Sequence, residues 1–435
     1  MVELQDKIKD KTAQVGIIGL GYVGLPLAVE FAQKGFNVIG FDISKKKVNL
    51  INSGKSDIGD VASESVKILI ASKMLSATDD FAQLKKCDCV AICVPTPLSK
   101  TKDPDVKYIL DAVQELQEFL HEGMLVVLES TTYPGTTEEL ILPSLESTGL
   151  KVGKDFYLAF SPERIDPGNK QYKTTNTARV VGGVTAKCRK VAKEFYGSIV
   201  DNVHVVSSTK GAEMVKLLEN TFRSVNIAMV NEMAVMCDRL GLDVWEIIDA
   251  AATKPFGFMP FYPGPGLGGH CIPIDPHYLS WKLKSLNYYA RFIELAGEIN
   301  SQMPEYVVDR VALQLNENGI PLKGTKVLIL GVTYKKDISD VRESPALDVI
   351  RLLQKREAKV AYNDPYVPKL KFDSGADMQS VELTEELLQS AQMTIILTNH
   401  SDYDYKMIVE HSNLIFDTRN ATGDIKGAKS KISKL

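Results

Sequence analysis

The 435-residue sequence has little cysteine, little net charge and no long uninterrupted apolar run. Six cysteines are too few for a disulfide framework at this length, so reduced thiols in a cytoplasmic compartment are expected. A net charge of -4 from 51 basic and 55 acidic side chains leaves no basic excess for a polyphosphate partner, which argues against nucleic acid. The opening MVELQDKIKDKTAQ mixes both charge signs without an apolar core and does not read as a signal peptide. A stretch of 20 residues from Pro255 to Ile274 carries no formal charge, but ten of them are Gly or Pro. A helix does not tolerate that density of breakers, so a long irregular loop is expected rather than a membrane span. Such loops in compact proteins are usually functional. With 44% apolar and 24% charged residues, the chain is an ordinary globular one of two or three domains, and neither disordered nor collagen-like.

What is present begins at Val15. VGIIGLGYVGLPLAVEFAQKGFNVIGFD reads as an apolar strand, a glycine turn, an amphipathic helix and a second strand ending at Asp42, a βαβ unit. Gly19, Gly21 and Gly24 have the spacing G-x-G-x-x-G. There glycine permits a tight turn, close approach of a pyrophosphate and close helix–strand packing, with the helix N-terminus facing the phosphates. Taken alone, the match also fits a plain strand-to-helix turn. Asp42, 18 residues beyond Gly24, is the acid that would hydrogen-bond an adenosine ribose, and dinucleotide binding is therefore expected. Further strands, CDCVAICVP and MLVVLES, end near Thr96 and Thr131, at the edge where open parallel sheets hold ligands. Cys87, Cys89 and Cys93 stand two and four residues apart, the spacing of one strand face, with no His nearby, which suits core thiols better than a metal site.

From Thr209 to Leu240 the pattern changes to one long helix with apolar residues at helical spacing. Lys216 and Asn220, one turn apart, share a face of it. A third region begins near Gly319: KGTKVLILGV and SPALDVIRLLQKREAKVAYNDP repeat the strand–helix–strand pattern without the glycine fingerprint. This repeat is expected to bind something other than a second dinucleotide. Lys335 and Arg342 in its first loop and Arg419 past a later strand would suit phosphate groups, or are solvated surface charge. The boundaries expected are 1–205 for a dinucleotide-binding domain, 206–315 for a helical domain and 316–435 for the second Rossmann-like domain.

In PGPGLGGHCIPIDP, Cys271 stands among glycines and four residues before Asp275. Most cysteines are buried hydrophobes, but a Gly- and Pro-rich loop lets backbone amides approach a ligand and makes thiol reactivity plausible. Adjacency alone does not pair His270 with the thiol, and His270 reads as loop structure.

Taken in order, GLGYVGLPLA, VPTP, STTYPGTT, SPERIDPGN, EMVKLLEN, GPGLGGHCIPID and YKKDISDVRESPA resemble the UDP-glucose/GDP-mannose dehydrogenase family of nucleotide-sugar 6-dehydrogenases over nearly the whole chain. The resemblance implies an α/β fold of two Rossmann-like, doubly wound domains joined by a helical domain with a long central helix. It implies NAD as cofactor, a UDP-sugar as substrate, no metal, and a homodimer or larger homo-oligomer. It matches the glycine turn (Gly19, Gly21, Tyr22, Val23, Gly24), Asp42, Lys47, Thr96, Thr131 and Arg342 to cofactor-contacting positions. Cys271 matches the nucleophile, Lys216, Asn220 and Asp275 the polar residues around it, and Glu163 the acid linked to hydrolysis of the covalent intermediate. Lys335 and Arg419 match positions that hold the nucleotide sugar. Glu163, Arg164, Lys216, Asn220, Tyr262 and Gly268 are further substrate-binding candidates.

Taking a primary alcohol to a carboxylate needs two hydride transfers, and a covalent nucleophile keeps the intermediate aldehyde from escaping. The expected route is a Cys271 thiohemiacetal and then a thioester, with Lys216 or an Asp275-bound water assisting proton removal and Lys216 and Asn220 stabilising the oxyanion. Two departures from the UDP-glucose enzymes, RIDPGN after Glu163 and Glu129 in place of a frequent Lys, point away from glucose. ESTTYPGTT, FSPERIDPGN and PFGFMPFYPGPGLGGHCIPIDPHYL look most like the branch that oxidises UDP-N-acetylglucosamine, with its N-acetylmannosamine and N-acetylgalactosamine counterparts as close competitors. Phe256, Phe258, Phe261 and Tyr262 with Arg164 could receive an N-acetyl group, or the aromatics could simply pack the loop. The rivals are a one-step β-hydroxyacid dehydrogenase, which needs neither the third domain nor the Cys271 loop, and a non-enzymatic NAD-sensing scaffold.

Overall fold

The computed structural model describes residues 3–98, 103–164, 176–372, 376–425 and 431–435. By contacts the chain divides into two compact units, one running to Glu219 with His277–Tyr288 added, the other made of Asn220–Pro276 and Tyr289–Leu435.

The first unit is built on an eight-stranded sheet: β1 (Gln14–Ile18), β2 (Asn37–Phe41), β3 (Leu75–Thr78), β4 (Cys89–Ile92), β5 (Leu125–Leu128), β6 (Tyr157–Phe160), β7 (Arg179–Gly183) and β8 (Val203–Val205). The spatial order is β3-β2-β1-β4-β5-β6-β7-β8, parallel throughout except where β6 meets β7. β4 and β5 are buried at every position, as apolar strands covered on both faces must be. One face packs against the helices Gly24–Gln33 and Ala186–Gly197, the other against Lys107–Gln117, which makes this half doubly wound. Strand order reverses between β1 and β4, so a crevice opens at their carboxyl ends. The expectation that three cysteines share one face of β4 is corrected here. Cys89 and Cys93 pack on the Gly24–Gln33 side, but Cys87 packs with Val90 and Ile92 on the other. Cys87 precedes the strand, leaving the 3-10 turn Phe81–Lys86, so strand alternation has not begun there.

The second unit holds a five-stranded parallel sheet of β9 (Lys326–Leu330), β10 (Lys359–Asn363), β13 (Met393–Ile396), β14 (Ile415–Asp417) and β15 (Ile432–Lys434), ordered β10-β9-β13-β14-β15. A short antiparallel ribbon, β11 (Lys369–Leu370) with β12 (Met378–Gln379), accompanies it. The amphipathic helix Pro345–Lys355 starts on a Pro and is capped by the Ser344 hydroxyl, as its sequence suggests. The helix Thr209–Leu240 has 32 residues, ~48 Å at the usual rise, and runs from the first unit into the second. Its C-terminal part, with Trp245 and the helix Arg291–Glu317, shares one core with the second sheet: Val230, Ala234, Val307 and Val311 lie in the same cluster as Val327 and Ile329.

Glycine is obligatory at the β1 turn. A Cβ on Gly24 would stand 1.8 Å from the Gly19 carbonyl oxygen, and Gly19 itself has φ +91° with the Cys93 carbonyl 2.7 Å from its would-be Cβ. Gly24→Ala is therefore expected to lower the thermal midpoint, costing about 1–3 kcal/mol through overpacking against backbone that has nowhere to move. An unchanged melting curve would contradict it.

Candidate active site

At the dinucleotide turn, Gly21 differs from its neighbours: nothing lies within 4 Å of a Cβ placed on it. The turn is thus an open cradle over the start of the helix Gly24–Gln33, as a bound pyrophosphate requires. Val23 caps that helix, and Tyr22 is exposed beside it. Asp42 directly follows β2 with both carboxylate oxygens turned into the loops: Oδ2 accepts from the Leu20 N–H at 3.0 Å and Oδ1 from the Ser44 N–H at 2.9 Å. Lys47 is ion-paired with Asp57 at 2.7 Å. The other loops at this edge are braced by the segment His277–Tyr288. Tyr278 donates its hydroxyl proton to the Thr96 carbonyl, and Trp281 packs on Tyr133 two residues past Thr131, centroids 5.1 Å apart.

A buried charge cluster follows on β5, β6 and β7. Lys216 Nζ donates to the Glu163 carbonyl at 2.6 Å. Glu163 Oε1 accepts from the Arg164 N–H at 2.6 Å, and Oε2 from Arg179 at 3.0 Å. Arg179 also reaches Glu129, whose other oxygen accepts from the Tyr196 hydroxyl. Burial pushes Glu129 up to about 7, with the Arg179 charge opposing it and Glu163 adding to it. Arg164 forms a two-pronged pair with Glu219, Nη2 to Oε1 at 2.6 Å and Nε to Oε2 at 3.3 Å. Residues 165–169 of the SPERIDPGN segment lie outside the described residues.

In the second unit, Cys271 is partly buried in the turn before the helix Asp275–Lys284, and its carbonyl accepts from the Asp275 N–H at 2.7 Å. The buried Asp275 carboxylate in turn accepts from Asn220 Nδ2 at 2.6 Å. The glycine loop leading to Cys271 is seated on the segment between β9 and the helix Pro345–Lys355. A Cβ on Gly268 would meet Tyr334 Cβ at 2.6 Å and the Glu343 carbonyl at 2.8 Å. The Gly269 N–H donates to the Arg342 carbonyl, and the Arg342 guanidinium lies 3.2 Å from His270 Nδ1. Arg342 is also paired with Asp340 at 2.6 Å. Although burial opposes its charge, Arg342 and its backbone N–H hold Asp340 below the usual carboxylate range. Arg342 thus stands in the second unit beside the Cys271 loop, and the glycine turn, Asp42, Lys47, Thr96 and Thr131 stand in the first.

Lys335 and Arg419 both follow carboxyl ends of the second sheet's strands, β9 and β14. The Lys335 carbonyl accepts from the Thr333 hydroxyl at 2.8 Å. Arg419 Nε donates to the Leu397 carbonyl at 3.0 Å, and its guanidinium lies 2.4 Å from where a Gly264 Cβ would be. Desolvation pulls Arg419 down to about 10, with Asp417 opposing. The aromatic run does not form one wall. Phe256 is exposed under Lys254, Phe261 packs on Phe222 at 5.8 Å, and Tyr262 stacks on Trp245 at 5.8 Å and donates to Asp249.

Residues that sequence reasoning passed over hold this frame. Asn231 Oδ1 accepts from the Gly264 N–H at 2.9 Å, its Nδ2 donates to Asn300 Oδ1, and Asn300 donates to the Ser224 carbonyl. His400 Nδ1 accepts from the Asp337 N–H at 2.9 Å, which leaves Nε2 to donate to Asp364 at 3.0 Å and pins the Lys335 loop to β10. For the first group a signal existed. Lys216, Asn220, Ser224 and Asn231 recur every four or seven residues along the long helix, and all are buried. Arg179 offered only a charge at the start of an apolar strand.

The fold and these residues define a class: an α/β dehydrogenase with a dinucleotide turn, a second parallel sheet carrying cationic side chains, and a thiol in a glycine-rich loop. Family models agree along the chain. The NAD binding domain of the UDP-glucose/GDP-mannose dehydrogenase family matches residues 13–200, its central domain 210–302 and its UDP binding domain 328–424. The chain belongs to the UDP-glucose/GDP-mannose dehydrogenase family and is an NAD-binding nucleotide-sugar dehydrogenase. It is 38% identical to the UDP-N-acetyl-D-glucosamine 6-dehydrogenase of Salmonella typhi, over 81% of this chain and 82% of that one. It is 35% identical to the UDP-N-acetyl-D-mannosamine dehydrogenase of Methanococcus maripaludis, over 94% and 92%. The structure of the UDP-D-ManNAc dehydrogenase from Pyrococcus horikoshii superposes with a TM-score of 0.88 at 34% identity, covering 97% of this chain and 99% of that one. No helix among the described residues is long and apolar enough to cross a membrane.

Because Gly21 has open space in the cofactor-free chain, Gly21→Ala should leave the melting temperature unchanged while raising the Kd for NAD at least tenfold (about 1.4 kcal/mol). Calorimetric titration checks this, and an unaltered Kd would show that the cofactor does not approach the turn there.

Proposed function

We propose that the protein oxidises C6 of a UDP-N-acetylhexosamine to the uronic acid in two steps on one thiol, with UDP-N-acetylglucosamine as the substrate. The observation that carries the chemistry is the chain Asn220–Asp275–Cys271. A buried amide fixes a buried carboxylate, and that residue's N–H is bonded to the carbonyl of Cys271, which among the described residues is the one cysteine exposed beyond the core. NAD, when bound, accepts the hydride in each oxidation. Lys216 or a water on Asp275 takes the hydroxyl proton in the first. The Cys271 thiolate then adds to the C6 aldehyde, and Lys216 and Asn220 donate to the oxygen that carries the developing charge. After the second oxidation the thioester carbonyl is attacked by water. Glu163 takes the water's proton and the thiolate leaves, regenerating the enzyme. Lys335 and Arg419 hold the UDP phosphates, Gly268 lets the loop close on the sugar, and Arg164 and Tyr262 border it. Asp42, with a lone pair on each oxygen beyond its backbone bonds, accepts from the ribose hydroxyls and selects NAD over NADP. Thr96, Thr131, Lys47 and Arg342 complete the cofactor contacts.

The choice of N-acetylglucosamine rests on the Salmonella relative and the ESTTYPGTT segment, and the N-acetylmannosamine relatives are the specific reason to carry that epimer as a second reading. The aromatic run adds less support than its composition suggests, since Phe261 and Tyr262 are committed to Phe222 and Trp245. A homo-oligomer is the state we favour, because the long helix leaves Leu218, Phe222, Met229, Met236 and Leu240 exposed at spacings of four and seven.

Cys271→Ala should abolish carboxylate formation and leave the fold intact, since a loop thiol contributes little core. Cys271→Ser should be nearly as impaired, a hydroxyl being far less ionised than a thiol near neutral pH. A Cys271→Ala protein that still makes the acid at near wild-type rate contradicts the covalent route. The wild-type enzyme should form two NADH per sugar consumed. The sugar itself is tested by kcat/KM for UDP-N-acetylglucosamine, its 2- and 4-epimers and UDP-glucose. Buried groups that pair with the acetamide should cost UDP-glucose about 1–3 kcal/mol each. A preference for UDP-glucose would overturn the N-acetyl reading, and a preference for an epimer would replace the sugar alone.

A further inference from the structure

We propose that Arg179 and Glu129 are positioning residues for Glu163, one guanidinium divided between two carboxylates so that Glu163 is fixed in place yet still able to take a proton from water. The inference rests on the role of Glu163 in thioester release given above.

Every arm of Arg179 is committed. Its Nε donates to Ser161 Oγ at 3.1 Å, Nη1 to Glu163 Oε2 at 3.0 Å and Nη2 to Glu129 Oε2, and its Cζ sits 4.6 Å over the Tyr196 ring. Arg179 and Glu129 are 3% and 1% exposed, and Tyr196 is fully buried. Each oxygen of Glu163 therefore has a fixed donor, the Arg164 N–H on one and Arg179 on the other. Two described cations close by are committed elsewhere: Lys216 donates to the Glu163 carbonyl, and the Arg164 guanidinium pairs with Glu219. Among the described residues Cys93, which follows β4, also faces the cluster, and burial keeps it a neutral thiol.

Stability does not ask for Glu129. A buried arginine needs one counter-charge, Glu163 supplies it, and a second buried carboxylate adds desolvation cost. Function gives it a reason. With Glu129 neutral, the Arg179 charge falls wholly on Glu163 and opposes proton uptake. With Glu129 ionised, that charge is shared and Glu163 can act as a base. Burial brings the protonation of Glu129 to about 7, so the switch falls near neutral pH, and release should quicken as Glu129 loses its proton on the way up through that value.

The test is stopped-flow formation of NADH by the whole enzyme with UDP-N-acetylglucosamine and NAD, followed from pH 6 to 8.5. Wild type should give a burst from both oxidations and then a release rate that rises through about pH 7. In Glu129→Gln the burst and KM should be unchanged, while release falls about tenfold and loses that rise. Glu129→Asp, which keeps the charge, should restore it. Tyr196→Phe, which removes a bond favouring ionised Glu129, should move the rise to higher pH, and it serves if Glu129→Gln does not fold. A folded Glu129→Gln with wild-type release and pH dependence overturns the proposal, as does an Asp variant as flat as the Gln variant, or a rise unmoved in Tyr196→Phe. Glu163→Gln separates the two readings. If it releases product like wild type, the role of Glu163 is lost. If it stalls after a full burst while Glu129→Gln behaves as wild type, only the positioning role falls.

Discussion

Backbone meeting backbone without side chains is the constraint on which the dinucleotide half depends. Parallel strands bring their carboxyl ends to one edge, and where strand order reverses, between β1 and β4, the loops leaving that edge diverge. The Gly24 Cα sits over the Gly19 carbonyl, and Gly19 sits over the carbonyl of Cys93 at the end of β4. A single methyl group at either place would push the helix away from the sheet and move its N-terminal amides off the ligand.

The remaining polar groups are held by two different kinds of interaction. In the first unit, Glu163 and Lys216 are set by charge: one guanidinium serves two carboxylates, and an ammonium is bound to a main-chain carbonyl. In the second, the Cys271 loop is set by neutral amides, Asn231 on Gly264 and Asn220 on Asp275, and by glycines too close to Tyr334 and Glu343 to accept a side chain. Buried polar groups are expensive unless satisfied, so both arrangements are rigid for the same reason. They differ in what moves them. The Asn231–Gly264 pair contains no titratable group, whereas the carboxylate pair responds to pH through Glu129.

The long helix Thr209–Leu240 carries residues of both arrangements. Its polar row, Lys216, Asn220, Ser224 and Asn231, is buried along one side while Met229, Met236 and Leu240 are exposed on others. A helix of this length keeps the spacing of such groups fixed, because the backbone hydrogen bonds of its interior run from turn to turn within it. Relatives named for the N-acetylglucosamine and the N-acetylmannosamine sugars resemble this chain at 38% and 35% identity.

Local pattern was enough for whatever depends on neighbours in sequence. The βαβ unit, the span of the long helix, the loop character of residues 255–274 and the repeat of the strand–helix pattern after Gly319 follow from apolar period and from glycine and proline placement. Motif order identified the family, and with it put forward Cys271, Asp275, Lys216 and Glu163 as candidates for the chemistry. Partners distant in the chain were decided by the tertiary structure. Arg179 meets Glu129 and Glu163 because β7 runs antiparallel beside β6, which no local pattern announces. Arg342 lies against His270, and Tyr262 against Trp245, because the glycine loop settles on the second unit's own surface. Cys87 faces away from Cys89 because strand alternation starts only where the ladder does. Sequence encodes the period and the residue types, whereas the pairing of buried charges depends on which segments share a layer, and packing of the whole chain sets that.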